Sequence, residues 1–197
     1  MANELYPVFL KVHQFDTLII GGGEVGLEKL TFLLKSSPSA KITLVGQSIK
    51  DEIKKLAAQH GSVRLFERGY FNEDLTGMQI VIAATENNET NDAIYKEAKR
   101  RDILVNVADT PELCDFYMGS IVNKGDLKIA ISTNGKSPTV AKRLKEVLNN
   151  VLPEEIDDLL QNMRLIRDSL KSNFGEKVKK LNQITESLVS KNKTQSQ

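Results

Sequence analysis

A glycine-rich loop between an apolar strand and a helix most constrains what this chain can fold into. Residues 17–26 read TLIIGGGEVG, and a helical pattern follows from Leu27. G-x-G-x-x-G in this strand–loop–helix context is typical of dinucleotide binding. Gly21 allows the tight turn, Gly23 lets a pyrophosphate approach the backbone, and Gly26 lets the helix pack closely on the strand. Free amides and the positive dipole end of the helix then face the phosphates.

Apolar strand patterns alternate with helical patterns through the first half of the chain. Strands are predicted over residues 5–12, 17–20, 41–45, 63–66, 78–84 and 103–107. Helices are predicted from the glycine loop to about residue 36, and then over 49–60 and 90–101. Pro7 favours an edge position for the first strand, because proline has no N–H to donate. The alternation predicts an α/β fold, a Rossmann-like parallel sheet with helices on both faces.

The pattern changes after Asp109. Strands are predicted over 116–123 and 127–132, with a hairpin signal between them. A helix follows to about residue 152, with Ser137 as its N-cap and Pro138 at its first position. This smaller α+β unit differs in kind from the βα repeats before it.

These patterns divide the chain into three predicted domains. Residues 1–113 are expected to bind NAD, and residues 114–152 to form a dimerisation and active-site hairpin and helix. Residues 153–197 are expected to be helical, with a disordered polar tail over 191–197. The middle domain is too small to bury a core of its own, so we expect a second copy of the chain to cover it.

Composition excludes several classes of function. A formal net charge of +1 over 197 residues argues against binding to nucleic acid or to an anionic membrane. No apolar run approaches the ~18 residues of a membrane span, and the N-terminus lacks a signal-peptide pattern, so a cytoplasmic location is expected. Cys114 is the only cysteine and the chain has two histidines, so neither a disulfide within the chain nor a permanent metal site is expected.

Two polar positions follow predicted strands and are candidates for the site. Asp109 comes directly after the fifth strand of the βα repeats, where ligands of open α/β sheets bind. Its alternative role is a turn carboxylate that bonds its own backbone before Pro111. Thr85 follows the fourth strand and could bond ribose or pyrophosphate, or could belong to an ordinary strand-to-helix cap.

A second polar loop opens a helix at residues 132–138. Its free amides and hydroxyls, with Lys136, predict an anion site, while simple capping of the helix by Ser137 is the alternative. The candidate binding residues here are Thr133, Asn134, Lys136 and Ser137.

The second strand leaves the choice of dinucleotide open. Gln47 and Ser48 stand just after it, where NAD-binding proteins usually carry Asp or Glu for the ribose hydroxyls. No arginine stands there for a 2′-phosphate either. The glycine motif alone therefore does not choose between NAD and NADP.

With these residues in view, the chain resembles the precorrin-2 dehydrogenase / sirohydrochlorin ferrochelatase family, the N-terminal module of siroheme synthases. The resemblance covers about residues 5–150 well and the helical tail more loosely. The motifs that carry it are YPVFL (6–10), GGGEVGLEK (21–29), AAT (83–85), NVAD (106–109) and STNGKSP (132–138). The last two, in this order and spacing, are the specific ones.

The resemblance implies NAD⁺-dependent oxidation of precorrin-2 to sirohydrochlorin and, in some members, insertion of Fe²⁺ to give siroheme. Asp109 matches the aspartate implicated in both reactions, and Thr133 stands where some members carry a serine beside the active site. Asn134 replaces a common glycine. Residues that match NAD-contacting positions are Glu24 and Val25 in the glycine loop and Gln47 and Ser48 after the second strand.

Members of the family typically pair as homodimers through the region after Asp109. The implied substrate is a tetrapyrrole with many carboxylates, which needs local cations. The candidates that we consider are Lys136, Lys142, Arg143, Arg164 and Arg167.

A non-catalytic NAD-binding sensor module, such as that of a potassium-transport regulator, is the alternative function. It uses the glycine loop equally well. It leaves Asp109 and the 132–138 loop without a role, and such modules usually keep an acidic ribose ligand after the second strand.

Overall fold

A five-stranded parallel sheet dominates the computed structural model, which describes residues 3–170 and 174–186. Its strands are β1 (Asp16–Ile20), β2 (Lys41–Gly46), β3 (Val63–Glu67), β4 (Ile80–Ala83) and β5 (Leu104–Val107). The helices between them are α1 (Glu24–Ser36), α2 (Asp51–Ala58) and α3 (Asn88–Arg100). The strand order is β3-β2-β1-β4-β5, with every neighbouring pair parallel. The predicted Rossmann-like α/β fold is confirmed.

Side chains of the central strands alternate between two hydrophobic clusters, as the period of two in a strand requires. Leu18 and Ile20 of β1 belong to a cluster that includes Ile94 of α3. Ile19 points the other way, into a cluster that includes Leu30 of α1 and Ile53 of α2. The strands are therefore buried on both faces, which explains why β1 and β4 read as continuous apolar runs.

The rest of the described chain forms a hairpin and three helices. They are β6 (Ser120–Lys124), β7 (Leu127–Ile131), α4 (Pro138–Val151), α5 (Ile156–Ser169) and α6 (Phe174–Ile184). Two compact units result. The first contains the chain up to Ser120 together with Ile131–Ala141, and the second contains Ile121–Ala130 and the chain from Lys142 onward. The domain boundaries predicted at residues 113 and 152 stay predictions.

A largely packed lysine, whose side chain is 11% exposed, fastens the hairpin inside the second unit. Lys124 donates hydrogen bonds of 2.7 Å to the carbonyl of Leu152 and to the carboxylate of Glu154. Across the turn, the N–H of Asp126 donates to Asp157 at 2.7 Å. These contacts satisfy carbonyl and amide groups at the end of α4 and in the hairpin turn.

The predicted strand over 5–12 is wrong. Residues 5–11 lack regular structure, and a short 3-10 turn covers Val12–Gln14. Pro7 removes a ladder donor, and no strand of the sheet pairs with this segment. Its apolar side chains are exposed, among them Tyr6 at 86% and Phe9 at 69%.

One further boundary differs from prediction. The first hairpin strand begins at Ser120 rather than at residue 116, because Phe116 and Met118 pack on the cluster that contains Ile19. The predicted disordered tail over 191–197 lies outside the described residues. Of the helices that are described, none is both long and apolar enough to cross a membrane.

Candidate functional site

The glycine loop is packed so closely that side chains would not fit at three of its positions. Gly21 has φ +130°, and a Cβ there would fall on the carbonyl oxygen of Ala84. A Cβ at Gly22 would meet the carbonyl of Ser48, and one at Gly26 that of Gly21. The loop therefore lies directly against the ends of β2 and β4.

Gly23 is different, because the space around its missing Cβ is empty to 4 Å. It is the N-cap of α1 and makes no side-chain cap, so the first-turn amides are offered to a ligand. An open position at the start of a helix, between tightly packed glycines, fits a pyrophosphate. Glu24 is exposed and forms an ion pair with Lys50, and Val25 packs on the core cluster around Ile19.

Backbone hydrogen bonds join the glycine loop to the loop after β2. Gly21 donates to the carbonyl of Val45 at 2.8 Å, and Lys50 donates to that of Gly22 at 3.0 Å. Gln47 and Ser48 lie exposed between these two contacts. They therefore lie beside the glycine loop at the carboxyl end of β2, and their contact with an adenosine stays a prediction.

The carboxylate that contacts this loop comes from β3, and the sequence pattern after β2 did not predict it. Glu67, opposite Gly46 in the register of β2 and β3, accepts the N–H of Ile49 at 3.1 Å. Its other oxygen accepts from Lys54 at 2.9 Å. The Lys54 hydrogen bond, followed by that of Ile49, lowers the pKa of Glu67. Only the pairing of β2 with β3 brings this carboxylate to the loop.

Thr85 serves mainly to fix the strand-to-helix turn before α3. Its hydroxyl lies 2.7 Å from the side-chain oxygen of Asn91, which is buried, and the amide of Asn91 donates back to the Thr85 carbonyl at 3.0 Å. Asn87 caps the helix by accepting from the N–H of Thr90 at 2.8 Å. The capping interpretation of this turn is therefore confirmed, and a contact of Thr85 with a cofactor stays a prediction.

A cleft of about 410 Å³ opens at the carboxyl end of β5, within the first unit. Its lining includes Asn106–Pro111, Cys114, Tyr117–Ser120, Ile131–Thr133, Gly135, Pro138 and Ala141, with Lys29 from α1. Two of these described lining residues are charged, the cation Lys29 and the carboxylate Asp109. Polar groups thus converge in a concave site, as in ligand-binding pockets generally.

Asp109 is exposed in this cleft and has a left-handed backbone conformation, with φ +57°. Non-glycine residues adopt this conformation at a cost, and it persists only where the surroundings impose it. The residues on either side of Asp109 are held by main-chain hydrogen bonds. The N–H of Ala108 donates to the carbonyl of Ala83 at 2.9 Å, and the N–H of Thr110 donates to the carbonyl of Val107 at 3.3 Å. No group in the described part of the chain donates a hydrogen bond to the Asp109 carboxylate, which leaves it for a ligand.

Cys114 and Asn106 hold the turn that carries Asp109. The thiol of Cys114 accepts from the N–H of Val107 and lies 3.3 Å from the Thr110 carbonyl, to which it can donate. Asn106 is buried and donates to the Phe116 carbonyl at 2.8 Å. Burial raises the pKa of the Cys114 thiol. Neither residue was predicted to support the site, because the contacts depend on how the chain folds back after β5.

The loop over 132–138 opens α4 as predicted. Ser137 accepts from the N–H of Val140 at 3.2 Å, so the capping role is confirmed. The hydroxyl of Thr133 bonds both the N–H and the carbonyl of Ser137, at 3.1 and 3.0 Å. Asn134 has φ +54°, the conformation that the more common glycine would adopt freely.

Of the four candidate binding residues in this loop, Thr133 lines the cleft. Asn134, Lys136 and Ser137 are not among the described residues that line it. Their role in binding stays a prediction. In the part of the chain that the structure describes, no group of three or more His, Cys, Asp or Glu side chains could hold a metal ion.

In this parallel sheet, β1 is followed by a glycine loop and by a helix whose first turn no side chain caps. These features define a dinucleotide-binding protein of the Rossmann-like class. A family profile described as "Putative NAD(P)-binding" matches residues 8–120, and one described as "Sirohaem biosynthesis protein central" matches residues 124–150. The chain belongs to this NAD(P)-binding family and, within it, to the siroheme-synthase N-terminal modules that its motifs resemble.

Individual relatives are siroheme synthases, in agreement with the family profiles. The chain is 36% identical to siroheme synthase of Pseudoalteromonas atlantica over 177 residues, 90% of this chain and 38% of that protein. It is 34% identical to siroheme synthase of Methylococcus capsulatus, over 86% of this chain and 35% of that protein. The chain thus spans little more than a third of these relatives.

Among solved structures, "SirC, precorrin-2 dehydrogenase" superposes with a TM-score of 0.71 and 28% identity, covering 91% of this chain and 89% of that one. These relatives support NAD as the cofactor and do not favour the sensor-module alternative.

Proposed function

We propose that this chain oxidises precorrin-2 to sirohydrochlorin with NAD⁺, in the cleft that contains Asp109. The observation that carries the proposal is this single unpaired carboxylate, held in a left-handed turn at the end of β5. The likeness to a precorrin-2 dehydrogenase over 91% of the chain supports it.

The glycine loop would bind the pyrophosphate, because Gly23 leaves open space before the uncapped amides of α1. Gln47 and Ser48 would contact the adenosine, and Glu67 would hold their loop in shape through Ile49. When bound, NAD⁺ supplies the hydride acceptor. The parallel sheet brings the glycine loop and Asp109 to the same edge, as the carboxyl ends of β1 and β5.

Asp109 would accept the proton that the macrocycle loses when a hydride leaves it. The reaction removes two hydrogens from the substrate, one as hydride and one as a proton, so a base near the reacting carbon is needed. The contacts of Asn106 and Cys114 would keep the turn, and so the carboxylate, in place.

Ferrochelation is a second activity that the family resemblance implies, with Fe²⁺ as a substrate. Metal insertion also removes pyrrole protons, so Asp109 could serve both reactions. Siroheme formation from sirohydrochlorin and Fe²⁺, compared between the wild type and Asp109→Asn, would test it.

The chain would act as a homodimer. Helix α4 exposes apolar side chains at helical spacing, with Leu144 at 45%, Val147 at 54% and Val151 at 72%. Contiguous exposed apolar side chains on one helix face mark an interaction surface. A second copy that covers this stripe would bury it.

Formation of NADH from precorrin-2 and NAD⁺ by the purified chain tests the proposed function. Turnover that depends on both substrates is expected. If the chain binds NAD with no NADH formed, the sensor-module alternative is correct and the proposed function fails.

A further inference from the structure

The cleft contains one cation among its described lining residues, and the sequence candidates for substrate binding did not include it. Lys29 lies in the second turn of α1, three residues after Gly26. Its side chain is 19% exposed, so most of the side chain is packed.

The only hydrogen bond that the Lys29 side chain makes with the described chain goes to Glu28, at 3.0 Å. Glu28 is its sequence neighbour and is 70% exposed, so solvent screens this pair and makes it weak. An ammonium has three donors, which leaves two N–H groups for a ligand. Packing removes water from the ammonium, and the weak, exposed partner does not offset this desolvation cost. An anionic ligand would offset it.

Lys29 and Cys114 both line the cleft. Burial raises the pKa of Cys114, and the charge of Lys29 is near enough to oppose that shift. Cys114 also touches the turn that carries Asp109. Lys29 and Asp109 therefore offer the cleft one positive and one negative group.

We propose that Lys29 is a substrate-binding residue, whose ammonium anchors a carboxylate of the tetrapyrrole in the cleft beside Asp109. A charge-assisted hydrogen bond to one carboxylate would fix the macrocycle so that another part of it reaches Asp109. The inference rests on the proposed function for the identity of the substrate.

The test compares Lys29→Met and Lys29→Arg with the wild type. Lys35→Met is the matched control, because Lys35 lies exposed on the same helix, in its last turn. Loss of a charge-assisted hydrogen bond should raise KM for precorrin-2 by about 10- to 100-fold in Lys29→Met, with kcat within about threefold. Lys29→Arg should recover most of this loss, and Lys35→Met should behave as the wild type.

A binding measurement makes the test independent of turnover. Uroporphyrin, a tetrapyrrole octacarboxylate, should bind the wild type at least about tenfold more tightly than Lys29→Met, while NAD affinity by calorimetry stays equal. Equal uroporphyrin affinity, or none in the wild type, overturns the proposal. So does a lower kcat with unchanged KM, which would make Lys29 a positioning residue for Asp109. A wild type that binds uroporphyrin through Lys29 but forms no NADH would contradict the proposed function and leave this anion site standing.

Discussion

The side-chain amide of Asn106 donates a hydrogen bond of 2.8 Å to the main-chain carbonyl oxygen of Phe116. Asn106 lies in β5 and is 6% exposed, while Phe116 belongs to the segment that folds back beside the cleft. The bond ties the strand before Asp109 to the residue that precedes the cleft-lining segment Tyr117–Ser120. A polar side chain in an otherwise apolar strand therefore connects the sheet to the site.

Asn106→Leu should lower both stability and activity. It keeps the approximate size but leaves the Phe116 carbonyl without this donor, at a cost of about 1–3 kcal/mol. Urea unfolding measures the loss, and single-turnover NADH formation should slow while NAD affinity is retained. Asn123→Leu, at an exposed position of β6, is the control. Equal stability of the two variants would contradict this role of Asn106.

Gly23→Val should fold normally and lose NAD binding. The space at the Gly23 Cβ is empty, so the chain tolerates a side chain, but that side chain would occupy the pyrophosphate position. Gly61→Val, another position with open space, should bind NAD as the wild type does. Calorimetry measures affinity and thermal unfolding checks the fold. NAD affinity unchanged in a folded Gly23→Val variant would be evidence against the predicted phosphate site.

Gly21→Ala should instead fail to fold or be strongly destabilised. The residue has φ +130° and its Cβ would overlap the carbonyl of Ala84. Circular dichroism and thermal unfolding distinguish this outcome from the binding defect of Gly23→Val. A stable Gly21→Ala variant would contradict the close packing of the glycine loop against the end of β4.

Val147→Glu on α4 should weaken the proposed homodimer. A charge in the centre of the exposed apolar stripe would be buried unpaired by a second copy, which is costly. Sedimentation should shift towards the monomer, whereas Leu165→Glu, an exposed position of α5, should not have this effect. A wild type that is monomeric across micromolar concentrations would refute the dimer itself.

Acid should destabilise the fold partly through Glu97 of α3. Hydrogen bonds from Arg100 and then Arg101 lower the pKa of this carboxyl to about 2. A carboxyl with a lower pKa in the folded chain stabilises it above the unfolded pKa, and this contribution disappears as pH falls towards about 2. Urea midpoints of Glu97→Gln should therefore fall less steeply below about pH 5 than those of the wild type. A slope in Glu97→Gln equal to that of the wild type would contradict the assignment.

The periodic part of the fold could be predicted from the sequence, because strands buried on both faces give long apolar runs and the glycine loop marks the first βα unit. The irregular structure of residues 5–11 could not be predicted, since their apolar pattern resembles that of a strand. Only the sheet topology shows that no strand of the sheet pairs with this segment. Asp109 was predicted as a site residue from its position after β5, and the structure places it in the lining of the cleft. Lys29 and Glu67 were not, because α1 and β3 reach the candidate site through packing and strand pairing that no local pattern encodes.

Asp109→Asn should slow NADH formation from precorrin-2 by about 10²–10⁴-fold, the usual cost of losing a general base. NAD affinity should be retained, because the phosphate contacts belong to the glycine loop at the end of β1. Asp102→Asn is a close control, since Asp102 is also exposed, also has a left-handed φ of 54°, and precedes the other end of β5. It shares the backbone conformation of Asp109 and not its position, so it separates a local turn effect from a chemical one. Single-turnover rates within about threefold of wild type for Asp109→Asn would mean that the carboxylate is only a turn residue.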